Sequence, residues 1–372
     1  MTRARPVWQD ASSRGSDSDG SDEEDVGYSR SKGYLQYTLE TFSRWFCRCC
    51  RRRARGGGQH PFLPTLACLV LCVCVCLPCA GGYEMRSVTS SASGRTVRYA
   101  YRPAPVAPKD GAEARTVLMI HPVGVGIAGW FYKNMMEDGV LRTCDLVAPD
   151  LWGCGGSSPL DPAKEGISLP TDWVRDCEAV CRDVRAGQGL VVVAQGGIAP
   201  VALQLGYRGK VPVSSVILTS PPVYDDLVNP IGELEFGRNY KSLQFFKGLV
   251  RFLLCRRSAI KFFSNLFLFA GEADDSFLSF ATRDAQSRVE QIEPVLLFNA
   301  GGLTTRSWAE EIARLGGVLR VVSGAEESEA RKEGRLGYGR AGGELFEVEG
   351  GCNVIPYECS RELERIVLRD LI

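Results

Sequence analysis

The chain has 372 residues, 45% apolar and 24% charged, the ordinary balance for a globular core inside a solvated surface. Its 44 basic and 44 acidic residues cancel, so it lacks the positive field that neutralises phosphates, and nucleic acid is set aside as a partner. Of fifteen cysteines, eight lie between Cys47 and Cys79, and Cys144, Cys154, Cys177, Cys181, Cys255, Cys352 and Cys359 are scattered beyond them. With two histidines in the whole chain and no ligand spacing, neither a metal nor a cofactor is expected; the scattered thiols read as small core residues.

Residues 1–60 form a leader that cannot build a core. It is rich in Ser, Asp, Gly and Arg, with an acidic run from Asp17 to Asp25 and a basic, Cys-rich cluster comprising Arg44, Arg48, Arg51, Arg52, Arg53 and Arg55. Disorder is expected over its first part. Residues 61–82 follow as an apolar segment centred on Leu66–Leu77 (LACLVLCVCVCL), at the lower limit for crossing a bilayer core of about 30 Å. Its basic flank predicts a single-pass membrane anchor. The alternative is a cleaved, signal-like targeting segment ending at the small residues Cys79-Ala80-Gly81-Gly82.

From about residue 90 to 372 the pattern alternates. Strands are expected at Thr96–Tyr101, Thr116–Ile120, Cys144–Ala148, Leu190–Ala194 and Val213–Ser220. Helices are expected at Ile127–Met136, Pro170–Val184 and Pro200–Tyr207. Such alternation predicts an α/β domain with a mainly parallel sheet and crossover helices. Residues from about 225 to 295 break it with apolar-aromatic helical patches at Leu243–Leu254 and Ile260–Ala270, read as an inserted cap. Gly317–Val322 and Leu345–Val348 resume the sheet, and Ser360–Ile372 closes the domain as a helix.

Ligands of such sheets sit beyond the carboxyl ends of the strands, so the turns there carry the chemistry. The first reads His121-Pro122-Val123-Gly124-Val125-Gly126 and resembles the oxyanion loop of α/β-hydrolases, whose glycines let backbone approach a ligand. The second, Pro149-Asp150-Leu151-Trp152-Gly153-Cys154-Gly155-Gly156-Ser157, resembles the PDLxGxGxS loop of the same fold. The strand Leu190–Ala194 then runs into Gln195-Gly196-Gly197-Ile198 where a G-x-S-x-G elbow would present its nucleophile, and Gly196 takes the serine position. No serine lies between Ser168 and Ser214. Near the C-terminus, Gly351-Cys352-Asn353-Val354-Ile355-Pro356 puts Asn353 where the fold places its histidine, and an amide cannot exchange a proton near neutral pH. Glu327, after Ser323-Gly324, stands at the acid position, but an acid without a histidine to orient completes no triad.

His121–Trp130, Pro149–Ser157, Val192–Gly197 with Pro200–Leu203, and Leu218–Val223 together resemble the α/β-hydrolase-like proteins of plant chloroplasts and cyanobacteria. The resemblance implies an α/β-hydrolase fold whose elbow lacks serine as a group feature, and a plastid destination as the alternative to the anchor. The leading expectation is a non-hydrolytic protein whose loop residues His121, Val123, Gly124, Trp130, Asp150, Gln195 and Gly197, with the aromatic cap, enclose a small apolar ligand or present a partner surface. The alternative is an enzyme with rerouted chemistry around the oxyanion loop, using His121, Asp150 or the Cys154 thiol. A third reading is a membrane-tethered interaction module.

Overall fold

The computed structural model describes residues 82–106, 114–187 and 189–371. Eight strands form one sheet in the order β1-β2-β4-β3-β5-β6-β7-β8: Glu84–Thr89 (β1), Thr96–Arg102 (β2), Arg115–Ile120 (β3), Cys144–Pro149 (β4), Leu190–Gln195 (β5), Val213–Thr219 (β6), Leu319–Gly324 (β7) and Glu344–Val348 (β8). β2 is antiparallel to both its neighbours, and β4 through β8 are parallel. The central strands explain why. LVVVAQ in β5 is buried at every position, as a strand covered on both faces must be.

Two apolar layers cover the sheet. One contains Leu118, Ile120, Val192 and Ala194 with helices Thr171–Asp183 and Ala199–Arg208; the other holds Val117, Met119, Val191 and Val193. Here α1 is Lys133–Asp138, α2 is Thr171–Asp183 and α3 is Ala199–Arg208. In α2, Trp173, Val174, Cys177, Val180 and Cys181 recur at helical spacing and are buried, and the Trp173 indole donates to the Trp152 carbonyl at 3.1 Å. Six of the seven scattered thiols are buried core residues, and Cys352 is half-buried.

Between β6 and β7 the chain leaves the sheet for a helical section: Tyr224–Val228 (α4), Glu233–Phe245 (α5), Lys247–Leu254 (α6), Arg257–Phe267 (α7), Asp275–Ser287 (α8), Glu293–Asn299 (α9) and Ala309–Leu315 (α10). The Asp274 carboxylate caps α8 by accepting from the Phe277 amide at 2.7 Å. Glu329–Arg340 (α11) joins β7 to β8, and Ser360–Arg369 (α12) ends the fold.

The expectation of a single-pass anchor is corrected. Among the described residues no helix is long and apolar enough to cross a membrane. The longest described helices have 13 residues, a rise of about 20 Å against the roughly 30 Å of a hydrocarbon core. The segment that carried the expectation lies outside the described residues, apart from Gly82.

Candidate functional site

The strand order reverses direction at β3, which has β4 on one side and β5 on the other. Ile120 pairs with Ala194 at the carboxyl ends of β3 and β5, so the loops beginning at His121 and Gln195 leave the sheet side by side. A crevice at such a switch point is where this architecture binds ligands.

Gly196 follows β5 at φ +68°, a left-handed conformation that side chains occupy only under strain, and it opens a short turn of 3-10 helix leading into α3. The turn from β5 into α3 is thus made through a left-handed glycine. A Cβ built on Gly196 meets no atom within 4 Å, so the space above it is open. The next residue is different: a Cβ on Gly197 would overlap the ring of Phe298, the aromatic wall supplied by α9.

Gln195 is buried and fully engaged. Its Oε1 accepts from the Thr219 hydroxyl at 2.6 Å, and its Nε2 donates to the Asn353 carbonyl. This side chain ties the elbow to the loop carrying Asn353. Asn353 is engaged in turn: its Nδ2 donates to the Phe267 carbonyl at the end of α7, its Oδ1 accepts from Arg331 at 2.8 Å, and its amide donates to the Leu268 carbonyl. Position 353 thus joins the cap to the sheet domain.

Glu327 is buried, not solvated. Its Oε1 accepts from the Ser220 hydroxyl at 2.7 Å and the Gly324 amide at 3.0 Å, while its Oε2 lies 2.7 Å from the Arg335 guanidinium. Arg335 also donates to the Pro221 carbonyl and the Ser323 hydroxyl. The Glu327 carboxylate is charge-paired with an arginine, and the hydrogen bonds of Asn353 go elsewhere.

The remaining polar residues hold the loops. The His121 Nε2 accepts from the Leu151 amide at 3.1 Å, which places its proton on Nδ1, donated to the Pro122 carbonyl at 2.9 Å. Complete burial pushes its pKa down to about 4, so the ring is neutral at physiological pH. Asp150 accepts from the Gly129 and Gly156 amides, each at 2.8 Å, and burial raises its pKa against those bonds. Burial also drives the Cys154 thiol well above its usual range, away from thiolate character. Trp130 stacks on Phe280 at 5.2 Å and meets Phe277 edge-on at 5.5 Å, both on α8. Val123 and Gly124 are half-buried on the first loop. Gly126, at φ +71°, lies so close beneath α8 that a Cβ would overlap the Ala281 carbonyl.

The structure brings Val123, Gly124, Gln195, Gly196, Gly197 and the Asn353 loop to the switch point, and sets His121 and Asp150 beneath it as loop fasteners. Sequence reasoning did not reach Phe298, Arg331, Arg335 or Ser220. Their partners are up to 132 positions away, and nothing local marks them. Among the described residues no group of three or more His, Cys, Asp or Glu side chains gathers as metal ligands would.

These features place the molecule among the α/β-hydrolases. The sequence profile of the alpha/beta hydrolase family matches residues 117–363, and the chain belongs to that family. Solved structures agree in fold. The carbazole-degradation serine hydrolase CarC superposes with a TM-score of 0.57 at 14% identity, covering 78% of this chain and 98% of its own. Cfl2 from Burkholderia cenocepacia gives 0.57 at 18%, covering 78% and 96%. A thermophilic esterase from Thermogutta terrifontis gives 0.54 at 13%, covering 77% and 98%. No curated protein matches the chain in sequence.

Proposed function

We propose that this protein is a non-hydrolytic member of its family that binds a small apolar ligand at the switch point, against Val123, Gly124, Gly197 and Phe298. The observation carrying the proposal is the elbow itself. Gly196 keeps the left-handed backbone of a nucleophile turn and leaves open space where the side chain would stand. Asn353 supports it, because both ends of its amide are occupied and the histidine position supplies no base. Loss of a triad serine or histidine lowers turnover by about 10⁶, so an esterase built this way retains little beyond binding.

The alternative of rerouted chemistry finds little support in the loop residues. His121 uses both ring nitrogens in hydrogen bonds, Asp150 holds two backbone amides, and the Cys154 thiol is buried. The test pairs two measurements on the full chain. Hydrolysis of a p-nitrophenyl short-chain ester is expected to stay at the buffer rate. A fluorescent naphthalene probe is expected to bind the wild type and to lose at least tenfold affinity, about 1.4 kcal/mol, in Val123→Phe, which fills the space beside the elbow. Turnover by the wild type, or indifference of the probe to Val123→Phe, would overturn the reading.

A further inference from the structure

The outer surface of the cap carries a second feature that the switch point does not use. Phe245 and Phe252 are 82% and 58% exposed, and Phe246, Leu249 and Leu266 are each at least half exposed. Neither α5 nor α6 contributes a single buried residue. Leu249 and Phe252 lie three apart on one side of α6, Phe245 and Phe246 stand at the junction of α5 and α6, and Leu266 is exposed on α7. Apolar side chains gathered in this way mark an interaction surface.

Charge narrows the partner. From Phe236 to Gly271 the chain has seven basic residues and no acidic one, within a protein whose net charge is zero. Lys247, Arg257 and Lys261 reach carboxylates of Glu293, Asp275 and Glu272 outside that stretch. Among the described residues Arg238, Lys241 and Arg256 form no ion pair, and all three are exposed. Arg256 lies over the Phe252 ring at 3.9 Å, so cation and aromatic share one spot on the surface. Phenylalanine and leucine flanked by free arginine and lysine on short amphipathic helices is the chemistry of an anionic lipid surface: rings enter the headgroup boundary and cations meet the phosphates.

We infer that helices α5 to α7 dock the cap peripherally on an anionic bilayer. The contact is interfacial and spans nothing, and it is independent of what occupies the switch point. Hydroxyl-radical footprinting reads it locally, because Phe245 and Phe252 are oxidised at rates set by their exposure, whatever other parts of the chain do. The full chain is mixed with vesicles of phosphatidylcholine, or of phosphatidylcholine with phosphatidylserine. Oxidation of Phe245 and Phe252 is expected to fall at least threefold with the anionic vesicles only, and to recover in high salt. Lys241→Glu/Arg256→Glu keeps both reporters and is expected to raise the anionic lipid concentration needed for half-protection by about fivefold per charge. Unchanged oxidation with anionic vesicles overturns the inference. So does equal protection by neutral vesicles, or protection that grows with protein concentration without lipid, which would assign the face to a second copy or to another protein.

Discussion

At Gly196 the backbone is left-handed, and on the proposed function this glycine stands where a nucleophile would be. Serine installed there would cost roughly 1–2 kcal/mol for its left-handed conformation but meet no steric obstacle. Gly196→Ser is therefore expected to fold with about that loss in denaturant unfolding. Gly196→Ser/Asn353→His is expected to fall about four orders of magnitude short of a complete triad in ester hydrolysis, because Glu327 is held by Arg335 and Ser220 and cannot orient an imidazole. His121 sets a pH dependence. Its folded pKa of about 4 lies below the usual 6.5, so the unfolded chain binds the extra proton first as pH falls, and stability is lost between about 6.5 and 4. At pH 5 the loss is about 2 kcal/mol. Unfolding of the wild type and of His121→Gln at pH 7.5 and pH 5 should show that difference in the wild type alone.

Among the elements, α11 shows why part of the site was not legible. Its sequence EARKEGRLGYGR carries three glycines and little apolar periodicity, which argues against a helix. Two of the glycines are there because α11 lies against the start of α4: a Cβ on Gly334 would reach Val223 at 2.5 Å, and one on Gly337 would overlap the Tyr224 ring. Only that approach delivers Arg335 to Glu327. β1 was missed for a related reason: EMRSVT is an edge strand with no buried residue, so it lacks the alternation that betrayed β2. The buried strands and their turns were legible, because continuous apolar runs and glycine loops are local signals. Arg335→Met is expected to cost about 3–5 kcal/mol by stranding the Glu327 carboxylate, and Glu327→Gln/Arg335→Met to recover part of it; urea unfolding of the two variants measures both.

Over the whole molecule, the cap is held unequally. α8 buries Phe277, Leu278, Ala281 and Ala285 and lies on Gly126 backbone to backbone, while α5 and α6 pack on the core only through half-buried side chains such as Phe236, Tyr240, Leu243 and Val250. Amide hydrogen exchange is expected to be at least tenfold faster in 233–254 than in 275–287; equal protection would mean that the cap moves as one unit. The sequence reading recognised a helical cap but not this division, since both halves are rich in phenylalanine and leucine and only tertiary contact separates them.

The close seat of α8 on Gly126 has a kinetic consequence. With no side chain between cap helix and loop, that half is the more closely seated, so on the proposed function a ligand would reach the switch point beneath the looser half. Entry and departure then share one gate, and stiffening α5 and α6 would slow both in proportion. A ligand would stay longer and arrive later, with its equilibrium affinity unchanged.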